Sequence, residues 1–256
     1  MDSNLTVLTP LTRFSNRAEN YARYRPSYPE AIVPFLEEQL GLKTGQRIAD
    51  IGSGTGLLSE LLLKRGYSVV CIEPNDEMRK AGEKRLSHYL GFSSRGRKAE
   101  STGLKSHSLD LVTVAQAFHW MEPVATKKEF TRILKPGGHI VLGWNMRQKN
   151  TAFLEEYENL KINFGIDYNP INRVNEETIK EFFYPHTTAV KSFPNIQWLD
   201  FDSLKGQLLS SSYIPLPGHP SYDTMISTLV SLFVQHNENG FVKMEYQTKL
   251  YWNKQG

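Results

Sequence analysis

The stretch that decides the fold of this chain is Arg47-Ile48-Ala49-Asp50-Ile51-Gly52-Ser53-Gly54-Thr55-Gly56-Leu57. Its first five residues are typical of a short buried strand, and leucines at helical spacing follow the glycines, so the pattern predicts strand, glycine loop and helix. Glycine permits a tight turn and leaves room for a ligand to approach the backbone. The free N–H groups at the start of the helix would face a carboxylate or a phosphate.

Two acidic residues beside this loop indicate what kind of ligand it holds. Asp50 precedes the loop, where it would repel a pyrophosphate and attract a cationic part such as an α-ammonium group. Glu73 ends the next predicted strand, 68–73, where a carboxylate can accept both hydroxyls of an unmodified ribose. Leu57 stands where the dinucleotide pattern GxGxxG has its third glycine. The structural alternative is an ordinary strand–helix turn, with Glu73 capping a helix.

Strands and helices alternate along most of the chain. Two further strands are predicted at 109–115 and 139–144, with a helix at 127–134 between them and a turn at Lys135-Pro136-Gly137-Gly138. This alternation implies βαβ units and a parallel sheet. Residues 241–252 instead alternate apolar and polar side chains, which is typical of a half-exposed antiparallel strand added at a sheet edge.

The composition is that of an ordinary globular protein. The 256 residues are 39% hydrophobic and 22% charged, and the net charge of +3 gives no reason to expect a nucleic-acid partner. No apolar run is long enough to span a membrane, and residues 1–10 lack a signal-peptide pattern, so we expect a cytoplasmic protein without a membrane partner. The single cysteine, Cys71, excludes an intrachain disulfide and a cysteine-based metal site.

Several motifs of the chain resemble those of the S-adenosylmethionine-dependent methyltransferases with a Rossmann-like fold, most of all the branch that includes trans-aconitate methyltransferases. Residues 47–56 match the first motif of that family, and Glu73 stands where its ribose-binding acid lies. Residues 132–138 resemble the family's turn into its fifth strand, and Gln116-Ala117-Phe118-His119-Trp120 resembles the segment after its fourth strand. Residues 21–29, 208–213 and 246–251 resemble its N-terminal and C-terminal parts, so the resemblance spans most of the chain.

The resemblance implies a fold and an activity. It implies one methyltransferase domain over 1–256, with helices on both faces of a seven-stranded, mostly parallel sheet in the order 3-2-1-4-5-7-6 and with strand 7 antiparallel. A helical lid segment would lie at 11–40, and a mainly helical, proline-interrupted region on the substrate side would lie within 147–239. The cofactor would be S-adenosylmethionine, and its methyl group would go to a small molecule, for example a carboxylate or another oxygen nucleophile. The sulfonium activates the methyl carbon without a metal, so none is expected, and the oligomeric state stays open.

The resemblance also assigns candidate site residues. The candidate cofactor contacts are Asp50, Gly52, Ser53, Gly54, Gly56, Glu73, Pro74, Ala99, Glu100 and Gln116. Lys98 departs from the family pattern, which usually places an acid before this alanine, so Glu100 or a backbone carbonyl would have to accept the adenine amino group.

Candidate substrate and catalytic residues follow the fourth strand or lie near the N-terminus. His119 is the candidate catalytic residue, as a general base or a hydrogen-bond donor to the substrate. The candidate substrate contacts are Tyr21, Arg25, Tyr28 and Trp120. Arg25 could clamp a substrate carboxylate in bidentate fashion. The structural alternatives are a loop histidine bonded to backbone, a surface arginine packed on tyrosine and a core tryptophan.

Other functions stay open at this point. A non-catalytic, regulatory protein that binds S-adenosylmethionine fits the sequence equally, because a methyltransferase need not show a catalytic side chain. An NAD-dependent oxidoreductase is disfavoured by Asp50 and Leu57. A nucleic-acid methyltransferase of the adenine-N6 type would carry Asn or Asp followed by Pro-Pro-aromatic after the fourth strand, and residues 116–119 lack this motif.

Overall fold

A seven-stranded sheet organises the part of the chain that the computed structural model describes, which comprises residues 17–166, 168 and 175–254. The strands are β1 (Arg47–Ile51), β2 (Ser68–Ile72), β3 (Phe92–Arg95), β4 (Leu109–Ala115), β5 (Leu134–Arg147), β6 (Thr187–Leu199) and β7 (Val242–Lys254). Their order across the sheet is β3-β2-β1-β4-β5-β7-β6. β7 runs antiparallel to β5 and β6, and the remaining neighbours are parallel. The predicted strand order and the antiparallel seventh strand are therefore confirmed.

Helices cover both faces of this sheet. They are α1 (Ala18–Tyr24), α2 (Ile32–Leu40), α3 (Leu57–Lys64), α4 (Asp76–Leu86), α5 (Pro123–Ile133), α6 (Ala152–Phe164), α7 (Glu176–Phe183), α8 (Phe201–Leu209) and α9 (Tyr222–His236), with a short 3-10 helix at Phe118–Trp120. On one face, α2 and α3 pack against Ile48, Val69 and Cys71. On the other, α5 and α7 pack against Ile51 and Ile72. Successive strand residues thus enter opposite cores, which explains the continuous apolar runs of the central strands.

The region 147–239 differs from its prediction in one respect. It contains four helices, α6 to α9, but also the 13-residue strand β6. Only Phe193 and Leu199 of that strand are buried, because β6 lies at the sheet edge and pairs only with β7. Burial alternates from Phe193 to Leu199, but the inward-facing residues between them include Asn195 and Gln197, whereas Ile196 and Trp198 are exposed, so apolar residues do not mark one face as they do in a half-buried strand. Residues 11–16 of the predicted lid, and residues 167 and 169–174 of this region, lie outside the described residues.

Two further features bear on the site. The predicted turn at 135–138 lies within β5. Leu109 of β4 pairs with Leu134 and Leu111 pairs with His139, so the turn residues between these two pairs form a large bulge in β5. Helix α1 packs against α4 and α8, which places it over the carboxyl ends of the central strands. Within the described ranges, no helix has the length and apolarity needed to cross a membrane.

Candidate active site

The glycine loop after β1 passes very close to the segment after β4. Gly52, Gly54 and Gly56 have φ values of 66°, 57° and 82°, which lie in the left-handed region that favours glycine. A Cβ on Gly52 would lie 2.4 Å from the Cβ of Ala117, a separation that no two carbon atoms tolerate without bonding. The loop therefore exposes bare backbone at the carboxyl end of β1, where ligands bind in sheets of this kind.

Glu73 follows β2 and lies directly beside this loop. Its side chain is buried, and its two carboxylate oxygens accept hydrogen bonds from backbone N–H groups, Oε2 from Gly54 at 2.9 Å and Oε1 from Asn75 at 2.8 Å. Burial raises the pKa of Glu73, and the two backbone hydrogen bonds oppose that rise. Each oxygen retains capacity for another hydrogen bond, so the fixed carboxylate can accept both hydroxyls of a ribose.

Asp50 lies beneath the loop and is almost completely buried. Its Oδ2 accepts a hydrogen bond from the Ser59 hydroxyl at 2.5 Å, and its Oδ1 accepts one from the Thr113 hydroxyl at 2.9 Å. Burial raises the pKa of Asp50 to about 6, and these hydrogen bonds oppose the rise. A cavity of about 30 Å³ reaches Asp50 between Tyr21 and Tyr28. Because both partners of the carboxylate are neutral hydroxyls, a cationic ligand group in this cavity would stabilise its ionised form.

A cavity of about 460 Å³ opens along the carboxyl ends of β1, β2 and β4. We call it the first cavity, and its volume lies in the range of small-molecule sites. Its lining residues are Tyr21, Gly52, Gly54, Glu73, Pro74, Asn75, Met78, Lys98, Ala99, Glu100, Ala115, Gln116, Ala117, Trp120 and Met121. Most of the candidate cofactor contacts line it, whereas Asp50 and Ser53 line the small cavity and Gly56 lines neither.

Several lining residues of the first cavity were missed by sequence reasoning. Asn75 caps α4, since its side chain accepts a hydrogen bond from the backbone N–H of Met78. Asn75 directly follows the Glu73-Pro74 pair and Met78 lies three residues further on, and their place at a helix start is the signal that could have found them. Ala117 and Met121 come from the segment after β4, for which no comparable signal exists.

The turn at Lys98 forms one end of the first cavity. The backbone N–H of Ser101 donates to the Lys98 carbonyl at 3.2 Å, and Ala99 between them is buried. The Glu100 carboxylate accepts a hydrogen bond from the backbone N–H of Glu122 at 3.1 Å. Glu100 lines the cavity at this end, and its role as acceptor for the adenine amino group, like that of a backbone carbonyl, stays a prediction.

A second cavity of about 90 Å³ adjoins the first through Tyr21, Gln116 and Trp120, which line both. Its lining residues are Tyr21, Arg25, Pro26, Tyr28, Leu57, Gln116, Trp120, Asn145 and Tyr246. All four candidate substrate contacts are therefore brought together here. Asn145 and Tyr246, on β5 and β7, were missed by sequence reasoning because nothing in their local sequence marks them.

Arg25 is the cation of the second cavity. Its Nη2 donates to the Ser211 hydroxyl at 3.1 Å, and the guanidinium lies over the Tyr21 ring, 5.0 Å from the ring centroid. Its buried Nε has no hydrogen-bond partner among the described residues. Arg25 is thus half-buried, packs on a tyrosine as the structural alternative expects, and has no carboxylate partner in this part of the chain, so its contact with substrate stays a prediction.

His119 is not brought to either cavity. It lies in the 3-10 helix after β4, with its ring centroid 4.8 Å from that of Trp120. Trp120 lines both cavities, whereas His119 is absent from the described residues that line them. A general-base role for His119 therefore stays a prediction that the geometry does not support.

The fold is Rossmann-like, with two adjoining cavities at the carboxyl ends of its central strands. Residues 49–142 match the family model described as a methyltransferase domain. The chain is 31% identical over 188 residues to an uncharacterized methyltransferase of Mycobacterium tuberculosis (strain H37Rv), which covers 73% of this chain and 70% of that relative. The chain belongs to the S-adenosylmethionine-dependent methyltransferases. This membership sets aside the NAD-dependent oxidoreductase, while the trans-aconitate branch stays a prediction.

Solved structures share this fold. A structure from Anaeromyxobacter dehalogenans, assigned as a type II methyltransferase, has a TM-score of 0.69 at 18% identity, over 90% of this chain and 98% of that one. A Haemonchus contortus N-methyltransferase in complex with phosphomonomethylethanolamine and S-adenosylhomocysteine has a TM-score of 0.56 at 15% identity, over 98% of this chain and 61% of that one. The cofactor of the family, S-adenosylmethionine, has the ribose and the ammonium group that Glu73 and Asp50 suit.

Asp50 should make cofactor affinity depend on pH. Its pKa of about 6 in the free protein means that it is ionised above pH 6 and protonated below. A bound ammonium group prefers the ionised form, so the dissociation constant of S-adenosylhomocysteine should be constant above about pH 7 and rise roughly tenfold per pH unit below about pH 6. Calorimetry from pH 5 to 8 measures this, and Asp50→Asn should bind more weakly with no such dependence. Equal profiles for both proteins would contradict the assignment.

Proposed function

We propose that this protein transfers the methyl group of S-adenosylmethionine to a carboxylate oxygen of a small acid bound in the second cavity. The observation that carries the proposal is Arg25, a cation that lines this cavity without a carboxylate partner among the described residues. A guanidinium binds a carboxylate through paired N–H donors, and the strength of such bonds increases where water is excluded.

In this proposal the cofactor occupies the first cavity. Glu73 would accept the ribose hydroxyls and Asp50 would face the ammonium group, while Pro74, Ala99 and Glu100 would surround the adenine. When bound, the cofactor supplies its methyl carbon, to which the acceptor oxygen forms a C–O bond while the C–S bond breaks and leaves its electron pair on sulfur. The protein's part is to hold the acceptor in line with that carbon and to exclude water.

The polar groups of the second cavity favour an acceptor that is already ionised. Among its described lining residues there is no histidine, aspartate or glutamate. Burial raises the pKa of Tyr28 well above its ordinary value and that of Tyr246 to about 12, so both hydroxyls stay neutral at pH 7 and cannot take a proton. An alcohol or a protonated amine would find no base there, whereas a carboxylate needs none.

We further propose that α1 serves as the lid. Tyr21 of this helix lines both cavities, and Arg17, just before it, donates to the carbonyls of Leu209, Ser211 and Ile214 at 2.8, 2.5 and 2.7 Å. These bonds tie the helix to the segment after α8. A helix held in this way would shield the acceptor from water during transfer.

The test begins with an acceptor screen. Small acids, phenols and amines are incubated with the enzyme and S-adenosylmethionine, and S-adenosylhomocysteine release and methyl ester formation are measured. We expect esters of acids and no product from amines. Methylation confined to phenols or amines would overturn the proposal.

Arg25→Gln should raise the Michaelis constant for the acid found in that screen. A hydrogen bond to a charged group contributes about 1.5–3 kcal/mol, so we expect an increase of roughly 10- to 100-fold. Cofactor affinity by calorimetry should not change. The matched control is Arg23→Gln, since Arg23 is exposed on the same helix and packs over Tyr24 instead. An unaltered Michaelis constant in Arg25→Gln would exclude the clamp.

A further inference from the structure

A cluster of buried charges lies behind the second cavity, at the end of β5. Arg147 is paired with Tyr246 of β7 in the sheet register, and Asn145 precedes it by two residues on the same face of β5. Asn145 and Tyr246 both line the second cavity. Arg147 is therefore a neighbour of two cavity-lining residues and lies on the same face of the sheet as they do.

Among the described residues of this cluster, cations outnumber carboxylates. Glu158 of α6 forms ion pairs with Arg147 at 2.7 Å, with Lys149 at 3.2 Å and with Lys161. Lys161 is completely buried and also donates to the Tyr168 hydroxyl at 2.9 Å. Within the part of the chain that the structure describes, a single carboxylate thus serves three cations, of which only Lys149 is largely exposed. Since buried charge is costly unless it is compensated, the cluster is electrostatically suited to receive another anion.

The guanidinium groups of Arg147 and Arg25 both retain unused donors. Within the described residues, Arg147 hydrogen-bonds through Nη2 alone, to Glu158, and its buried Nε has no partner. Among the described residues, Arg25 donates a hydrogen bond only to the Ser211 hydroxyl, and its buried Nε is equally without a partner. The side chain of Arg147 is 21% exposed, so the group is open to an incoming ligand. Buried donors in proteins nearly always have a hydrogen-bond partner. The Nε atoms of Arg147 and Arg25 have none among the described residues, which points to a ligand.

Both guanidinium groups act on the same tyrosines. Burial raises the pKa of Tyr246, and the charges of Arg147 and Arg25 both oppose that rise. Arg147 also lies over the ring of Tyr157, 5.1 Å from its centroid. Burial raises the pKa of Tyr157 as well, and the charges of the same two arginines oppose that rise. The two arginines therefore lie near the same two tyrosines, one of which, Tyr246, lines the second cavity.

We propose that Arg147 binds a second anionic group of the acceptor, so that the acceptor is an acid with two anionic groups, one for Arg25 and one for Arg147. The inference rests on the proposed transfer to an acid. Lys161 acts as a positioning residue, because it shares Glu158 and so leaves part of the Arg147 charge free for the ligand. The second anionic group is a carboxylate or a phosphate, since a guanidinium binds both.

The test compares acids with one and two anionic groups on the same enzyme. Calorimetry of the protein saturated with S-adenosylhomocysteine is carried out with malonate, succinate, glutarate and adipate, and with the monoacids of equal carbon number. A separate arm uses 3-phosphonopropionate to distinguish a phosphate-type group from a second carboxylate. We expect at least one dianion to bind about tenfold or more tighter than its monoacid, the effect of one charge-assisted hydrogen bond.

Arg147→Gln should remove that preference and leave monoacid affinity within about twofold, since Arg25 remains. Lys149→Gln is the matched control, because it breaks a different ion pair of the same Glu158 and should keep the preference. Arg147→Lys keeps the charge without the planar fork and serves if Arg147→Gln fails to fold; it should reduce the preference.

Two results would overturn the inference: no dianion that binds tighter than its monoacid in the wild-type protein, or an unchanged preference in Arg147→Gln. Monoacid binding and ester formation test the underlying function separately. Their presence without a dianion preference rejects the role of Arg147 alone, and their absence rejects transfer to an acid.

Discussion

Glu73→Ala should weaken the binding of S-adenosylhomocysteine by about a hundredfold or more. The carboxylate is held in place by the backbone N–H groups of Gly54 and Asn75, so it meets a ribose without reorganisation. Its removal deletes two charge-assisted hydrogen bonds to the ribose, each worth about 1.5–3 kcal/mol. It also removes the acceptor of the backbone N–H groups of Gly54, in the glycine loop, and of Asn75, at the start of α4, which loosens the loop.

Calorimetry measures this loss directly, and thermal unfolding shows whether the fold is retained. Glu77→Ala is the matched control, because Glu77 lies in the first turn of α4, is half exposed and pairs only with Lys80 on the same helix. This control should bind the cofactor normally. If Glu73→Ala folds and binds as tightly as the wild-type protein, the ribose assignment is wrong.

The cofactor side of the molecule could be predicted because its signals are local. The glycine loop and Glu73 each follow a strand directly, and the carboxyl ends of parallel strands meet at one edge of the sheet. Chain direction and strand order were therefore enough to bring these residues together. The order itself came from the family resemblance, since composition and periodicity do not select one order among many.

The acceptor side could not be predicted in the same way. Asn145, Arg147 and Tyr246 lie on β5 and β7, far apart in the sequence, and they meet only through the register of an antiparallel pair. β6 was missed because its inward-facing positions carry polar residues such as Asn195 and Gln197 while Ile196 and Trp198 face outward, so the sequence does not alternate as a half-buried strand does. The place of His119 after β4 predicted a site residue, and this stays a prediction, because it is the neighbouring Trp120 that lines both cavities.

Gly52→Ala should abolish measurable cofactor binding and lower the melting temperature. The φ of 66° at this residue costs a side-chain-bearing residue about 1–2 kcal/mol. The added Cβ would also lie 2.4 Å from that of Ala117, and since neither atom is at the end of a flexible chain, the backbone must move. The displaced loop would carry the Gly54 N–H away from Glu73. It would also narrow the first cavity, which Gly52 and Ala117 both line.

Gly41→Ala measures the effect of backbone strain alone, without a steric clash of the added Cβ. Gly41 has nearly the same φ, 63°, but a Cβ there would meet no atom within 4 Å, so the variant should lose only about 1–2 kcal/mol of stability and bind the cofactor normally. The double variant Gly52→Ala with Ala117→Gly removes the colliding atom and should recover part of the affinity. Calorimetry and thermal unfolding of these variants decide between the two causes. Full loss in the double variant would mean that backbone strain at Gly52, and not its approach to Ala117, controls the site.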